Sequence, residues 1–133
     1  MRTMTAAGSV WGDIVGYSRA VRIGSFITVA GTTASGPNGQ ALHPGDPGNQ
    51  TRVIFERISA ALGALGASLS DVIETRIFVT DISRWEEVGR VHGEVFGAIK
   101  PATTMVEVSR LIDPALLVEI SALAVVDSAG PGR

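Results

Sequence analysis

Between Lys100 and Val126 the chain reads KPATTMVEVSRLIDPALLVEISALAVV, two strand-like runs joined by a short linker that carries Asp113 and Pro114. Strand side chains alternate between faces with a period of two. The first run therefore sets Ala102, Thr104, Val106 and Val108 against Thr103, Met105, Glu107 and Ser109. The second sets Val118, Ile120, Ala122, Ala124 and Val126 against Leu117, Glu119, Ser121, Leu123 and Val125. A strand with one wet face carries polar residues there, and Met105, Leu117, Leu123 and Val125 are too apolar for water. The pattern predicts two adjacent strands, with helices over the first-named face of each and another subunit over the second. Glu107 and Glu119 then point toward an interface, where desolvation forces a carboxylate to be paired, hydrogen-bonded or protonated. Each is open to two readings, a structural acceptor for backbone or arginine, or a group that does chemistry.

A chain of 133 residues fits a single domain, residues 1–133, with flexible tails expected at 1–9 and at 127–133, where the sequence is DSAGPGR. A net charge of −2 with interspersed signs, and few aromatics, makes neither a phosphate-tracking stripe nor a base-stacking platform, so no nucleic-acid partner is expected. There is no cysteine, which excludes disulfides, thiolate metal sites and a cysteine nucleophile, and no metal site is expected. The N-terminus lacks a hydrophobic run long enough for a signal peptide and no window approaches a membrane span, so a cytoplasmic location without membrane partners is expected.

From Ala20 to Ala30 the sequence AVRIGSFITVA predicts a hairpin turning at Gly24 and Ser25, the glycine-first pair of a type II′ turn. Tyr17 leads into the first strand, either as a packing residue with a wet hydroxyl or as a phenol lying over a ligand. The Gly/Pro/Asn-rich segment after Gly31 predicts a loop that holds His43; it contains neither phosphate-binding glycine pattern. A helix is predicted from about Gly48 or Asn49 to about Leu65, with Gly66 as its stop. Val72 to Val79 predicts a strand in which Arg76 shares a face with Glu74 and Phe78 and forms a structural ion pair. Ser83 to Glu86 has the spacing of a capping box for a helix running to Phe96, whose apolar stripe includes His92. On that stripe His92 is either a satisfied core residue or, if paired with Glu119 or Glu107, a proton carrier near neutral pH. Two helices on one face of a mixed sheet make an α+β layer whose other face needs a partner, and a cyclic oligomer closing the free faces into a barrel meets that need.

The segments YSRAVRIGSFITVAG, QTRVIFERISAALGALGASLSDVIETRIFVTD, FG..KPA, VEVSRL and LVEISALAVV, in that order and spacing, resemble the RidA/YjgF family of reactive intermediate deaminases from about Tyr17 to Val126. The resemblance implies a chorismate-mutase-like (YjgF-like) α+β fold, a homotrimer whose sheets form a central barrel, and small-molecule clefts between subunits. Active members hydrolyse enamines and imines without a cofactor. By position, Glu119 matches the family's water-placing glutamate, Tyr17 its cleft tyrosine and Gly31 the glycine bordering the site. Thr103 stands where an arginine of the family's PAR motif grips the substrate carboxylate, and Met105 lines the same stretch. Gly89 replaces a common asparagine, and Ala30 to Thr32 read AGT where SGQ is common. A threonine hydroxyl offers one neutral hydrogen bond in place of a charged fork. The resemblance therefore implies a Rid-like protein of an arginine-less subgroup. Catalysis would rest on Glu119, with His92 or Glu107 as second group, and Arg76, Arg19, Arg22 or Arg110 could stand in for the guanidinium. A non-catalytic metabolite-binding or interaction trimer is the alternative, and a ribonuclease or translation inhibitor the third.

Overall fold

The computed structural model describes residues 1–127, so the tail expected at 127–133 lies, but for Asp127, outside the described residues. Six strands, β1 (Arg2–Ala6), β2 (Ser18–Ile23), β3 (Phe26–Thr32), β4 (Val72–Val79), β5 (Ala102–Glu107) and β6 (Val118–Val125), form one sheet in the order β1-β2-β3-β6-β4-β5. Helices α1 (Pro47–Ala64) and α2 (Trp85–Phe96) cover one face. All pairings are antiparallel except β4 with β5.

The predicted hairpin forms with Gly24 at φ 61°, the left-handed conformation its turn requires. Helix α1 starts with Pro47 in its first turn and with the Asp46 side chain accepting from the Asn49 amide, and stops before Gly66 at φ 81°. Ile54, Ile58 and Leu62 lie at helical spacing and are fully buried with Ile27, Val118 and Ile120 of the sheet. Each such side chain contributes about 1.5–3 kcal/mol of transfer free energy.

Four expectations are corrected. Residues 2–6 are not a loose tail: β1 pairs with β2 from Arg2 opposite Ile23 to Ala6 opposite Ser18. RTMTA shows no apolar alternation because this edge strand is held by its backbone ladder and buries little. The capping box at Ser83 and Glu86 does not form; Asp81 accepts from the Ser83 amide at 3.0 Å, a short 3₁₀ turn (Ile82–Arg84) intervenes, and Glu86 pairs with Arg90. Strands β5 and β6 are not neighbours, because β4 lies between them. The crossover through α2 sets β5 parallel to β4 on its outer side, and the 108–117 linker carries the chain back to β4's other side.

The faces of β5 are also exchanged. Thr75, Ile77 and Val79 are buried under the helices, and β4 sets them opposite Thr103, Met105 and Glu107. Ala102, Thr104 and Val106 therefore share the open face with Glu74, Arg76 and Phe78. On an edge strand with little contrast between its two sides, periodicity separates the faces but does not say which one meets the core. For β6 the expected parity holds: Val118, Ile120, Ala122 and Ala124 are buried, and Glu119, Ser121 and Leu123 lie on the open side.

The loop between β3 and α1 is fastened by Gln50, which is fully buried. Its amide donates to the carbonyls of Leu42 (3.1 Å), His43 (3.3 Å) and Ala115 (2.9 Å), and its oxygen accepts from the Leu117 amide (2.8 Å). One side chain thus ties two loops together just before β6.

Candidate functional site

Two polar clusters arise from this framework. The first lies where β2, β3 and β6 meet. Between Val29 and Thr32, β3 carries a bulge, so that three of its steps span two on β6. The bulge brings the Gly31 backbone over the Glu119 side chain: a Cβ at Gly31 would lie 2.5 Å from Glu119 Oε2. Only glycine leaves the carboxyl its present place. Burial pushes the Glu119 carboxyl above the usual carboxylate range, and the Arg19 guanidinium partly opposes that rise.

Arg19 enters from β2. Its Nη1 donates to the Gly31 carbonyl and to Thr32 Oγ1, both at 3.0 Å, and Nη2 donates to the Tyr17 hydroxyl at 3.4 Å. Its guanidinium carbon sits 5.7 Å from the Tyr17 ring centroid. From α1, Arg57 donates to the Thr33 carbonyl at 2.7 Å. Burial and the nearby Arg19 charge together lower its pKa from the ordinary arginine value.

The second cluster is on the helix side of β4 and β5. Thr75 Oγ1 lies 2.9 Å from His92 Nε2 and 2.8 Å from Thr103 Oγ1, and Thr103 donates to the Pro101 carbonyl at 3.1 Å. Each hydroxyl has one proton. With the Thr103 proton on Pro101, the Thr75 proton must fill the 2.8 Å gap to Thr103, so His92 Nε2 must carry the proton it shares with Thr75. The chain then runs one way, from His92 through Thr75 and Thr103 to Pro101, with the tautomer assigned by this hydrogen count. Burial lowers the His92 pKa, and its ring packs edge-on against Phe55 (5.7 Å) and tilted against Phe96 (4.8 Å).

The structure thus brings Tyr17, Gly31 and Glu119 together with Arg19, and separately brings Thr103 and His92 together beside Met105, which packs on the core. It does not join His92 to either glutamate. Glu107 Oε1 accepts from the Ile82 amide at 3.0 Å, and so caps the turn before α2. Arg76 pairs with Glu74 at 3.3 Å as expected. Arg22 donates to the Gly24 and Leu65 carbonyls, the latter at the end of α1. Thr75, Thr32 and Arg57 were not legible as site residues; a polar residue in an apolar run, as Thr75 is in VIETRIFV, was the available signal. Among the described residues no group of three or more His, Asp or Glu side chains gathers as a metal site, and no helix is long and apolar enough to cross a membrane.

A family model described as Endoribonuclease L-PSP matches residues 3–126. A RutC family protein of Pyrococcus horikoshii is 40% identical over 108 residues, 81% of this chain and 85% of that protein. The crystal structure of a Mycobacterium tuberculosis member of the YjgF/YER057c/UK114 family is 56% identical with TM-score 0.86, over 95% of this chain and 100% of that one. Escherichia coli TdcF, solved with bound serine, is 30% identical with TM-score 0.75, over 84% of this chain and 88% of that one. A match that spans nearly the whole chain, together with likeness in both sequence and fold, makes this protein a member of the Endoribonuclease L-PSP family, the family of YjgF and RidA.

Proposed function

We propose that the protein is a Rid-like trimer that hydrolyses a small imine or enamine in clefts between its subunits, with Glu119 handling the protons. The observation that carries this reading is the Glu119 carboxyl itself, half-buried, its pKa raised by that burial, and seated against the Gly31 backbone within the electrostatic reach of Arg19. Family membership supports a small-metabolite protein, and the serine held by the similar Escherichia coli protein supports a ligand of amino-acid size.

In this reading the protonated carboxyl gives its proton to the enamine carbon and leaves an iminium. Glu119, now ionised, takes a proton from water as the oxygen bonds to the iminium carbon. The resulting carbinolamine receives that proton on nitrogen, the C–N bond breaks, and the hydroxyl proton returns to Glu119. The balance is enamine plus water giving ketone plus ammonia, with no cofactor. A carboxyl whose pKa is moved toward neutrality serves both steps, because each proton transfer is then close to thermoneutral.

The test supplies 2-aminoacrylate from a serine dehydratase and follows pyruvate release. Acceleration by the protein that is abolished in Glu119→Gln is expected; no acceleration of this or a related imine removes the reading.

Thr103 in place of a guanidinium favours a second reading, a trimer that binds a metabolite without turning it over. Melting shifts with small carboxylates that persist in Glu119→Gln, without turnover, would establish it. The ribonuclease activity named by the family description ranks third on the acidic charge balance, and RNA left intact after incubation would dispose of it.

A further inference from the structure

We propose that Arg19 supplies in this chain the guanidinium that holds the ligand carboxylate, in the position where its Nη atoms are braced by Gly31, Thr32 and Tyr17. The inference rests on the small-metabolite reading of the Glu119 site and names the group that recognises the ligand there.

The other candidates are engaged elsewhere. The Thr103 hydroxyl gives its proton to Pro101 and shares its oxygen with Thr75 and His92, so it has no proton left for an anion. Arg22 is bound to the end of α1, Arg76 to Glu74, and Arg110 is exposed in the linker after β5. Arg19 alone among them acts electrostatically on Glu119.

Arg19 also has capacity to spare. A guanidinium has five N–H donors, and the described hydrogen bonds of Arg19 use three, to Gly31, Thr32 and Tyr17. None of the described carboxylates forms an ion pair with it; Glu119 acts only at longer range. It is half-buried, and the second cation at this end of β3, Arg57, loses proton affinity first to its own burial and then to the Arg19 charge. Two partly desolvated guanidiniums held by carbonyl oxygens form an electropositive corner in an acidic protein, and an anion of carboxylate size relieves their repulsion. Burial already disfavours the charge on Glu119, which eases the placing of an anion beside it. The braces at Nη1 and Nη2 fix the guanidinium plane before the ligand arrives, so little side-chain entropy remains to be lost.

Titration calorimetry with 2-oxobutanoate and 2-oxobutanamide, at low salt, separates recognition from scaffolding. The native protein is expected to bind the carboxylate at least tenfold more tightly than the amide. Arg19→Gln is expected to lower carboxylate affinity by roughly tenfold or more, the weight of a charge-assisted hydrogen bond, and to leave amide affinity within about threefold. Arg19→Lys, which keeps the charge without the fork, should retain part of the preference and guards against a Gln variant that does not fold. If both ligands weaken equally in Arg19→Gln, Arg19 is a scaffold for Gly31 and the inference fails. If Arg19→Gln keeps the native preference, or if the native protein shows none, the inference fails while the metabolite reading stands. If the native protein binds neither compound, that reading falls as well.

Discussion

Glu119 and Thr103 lie on opposite faces of one sheet: β4 pairs Phe78 with Glu119 on its open side and Thr75 with Thr103 on its helix side. Phe78 and Thr75 are three residues apart, roughly 10 Å along the strand. One protomer therefore cannot present both side chains to one small ligand. If the two act together, the strand-edge cluster of one copy must meet the open face of another, which is the physical content of a cleft between subunits.

The Gly31 and Glu119 contact is testable by itself. Gly31→Ala should leave the fold intact, because the displaced atoms are those of a side chain, but should push the Glu119 carboxyl out of place. Turnover or ligand affinity should fall by about tenfold or more. In a Glu119→Gln background the same substitution should have little further effect, a non-additivity that a double-mutant cycle reads directly. Full additivity would separate the two residues.

The hydroxyl relay predicts a stability cost and a pH dependence. Thr75→Val removes the buried bridge between His92 and Thr103 and should cost about 1–2 kcal/mol in urea unfolding. His92 has a folded pKa below its ordinary value of 6.5, so the unfolded chain binds its proton more readily. Its contribution to stability is complete above that value and declines as pH falls toward the folded pKa. Melting at pH 7.5 and pH 5.0 should show a smaller acid loss in His92→Gln than in the native protein. An equal loss would mean that another group controls the acid limb.

Glu119 has the opposite sign. Its folded pKa is above 4.5, so its protonated form is favoured by folding, and stability attributable to it is greatest below that value and is lost as pH rises through the folded pKa. Glu119→Gln should therefore raise the melting temperature near neutral pH more than at pH 4. An unchanged difference across that range would contradict a burial-driven shift.

Glu107→Ala separates capping from catalysis. Loss of the acceptor for the Ile82 amide should cost about 1 kcal/mol. Turnover, where present, should stay within about threefold; a hundredfold loss would return Glu107 to the reacting groups.

Gln50→Met keeps the volume and removes four hydrogen bonds at a fully buried site. Buried carbonyls and an amide left unpaired should cost about 3 kcal/mol or more in urea unfolding. A cost below 1 kcal/mol would show that water or loop movement replaces the glutamine.

Much of the architecture was readable from local signals. The Gly24 turn, the ends of α1, the two faces of β6 and the Arg76 pairing with Glu74 each depend on residues close in sequence or on one strand's periodicity, so composition at those positions was enough. Glu119 was conspicuous for the same reason, as a carboxylate within an apolar run. What the tertiary structure decided depends on distant partners. Strand β1 exists because β2 offers it a backbone ladder. The faces of β5 were fixed when Thr75 met Thr103, and Gln50 gained its importance only when two loops closed on it. Arg19 stood out from the other three candidate arginines only when the β3 bulge set Gly31 between it and Glu119. Alternation along a strand says that two faces differ; which face meets the core, and which charge meets which carboxyl, follows from pairings made across the sheet.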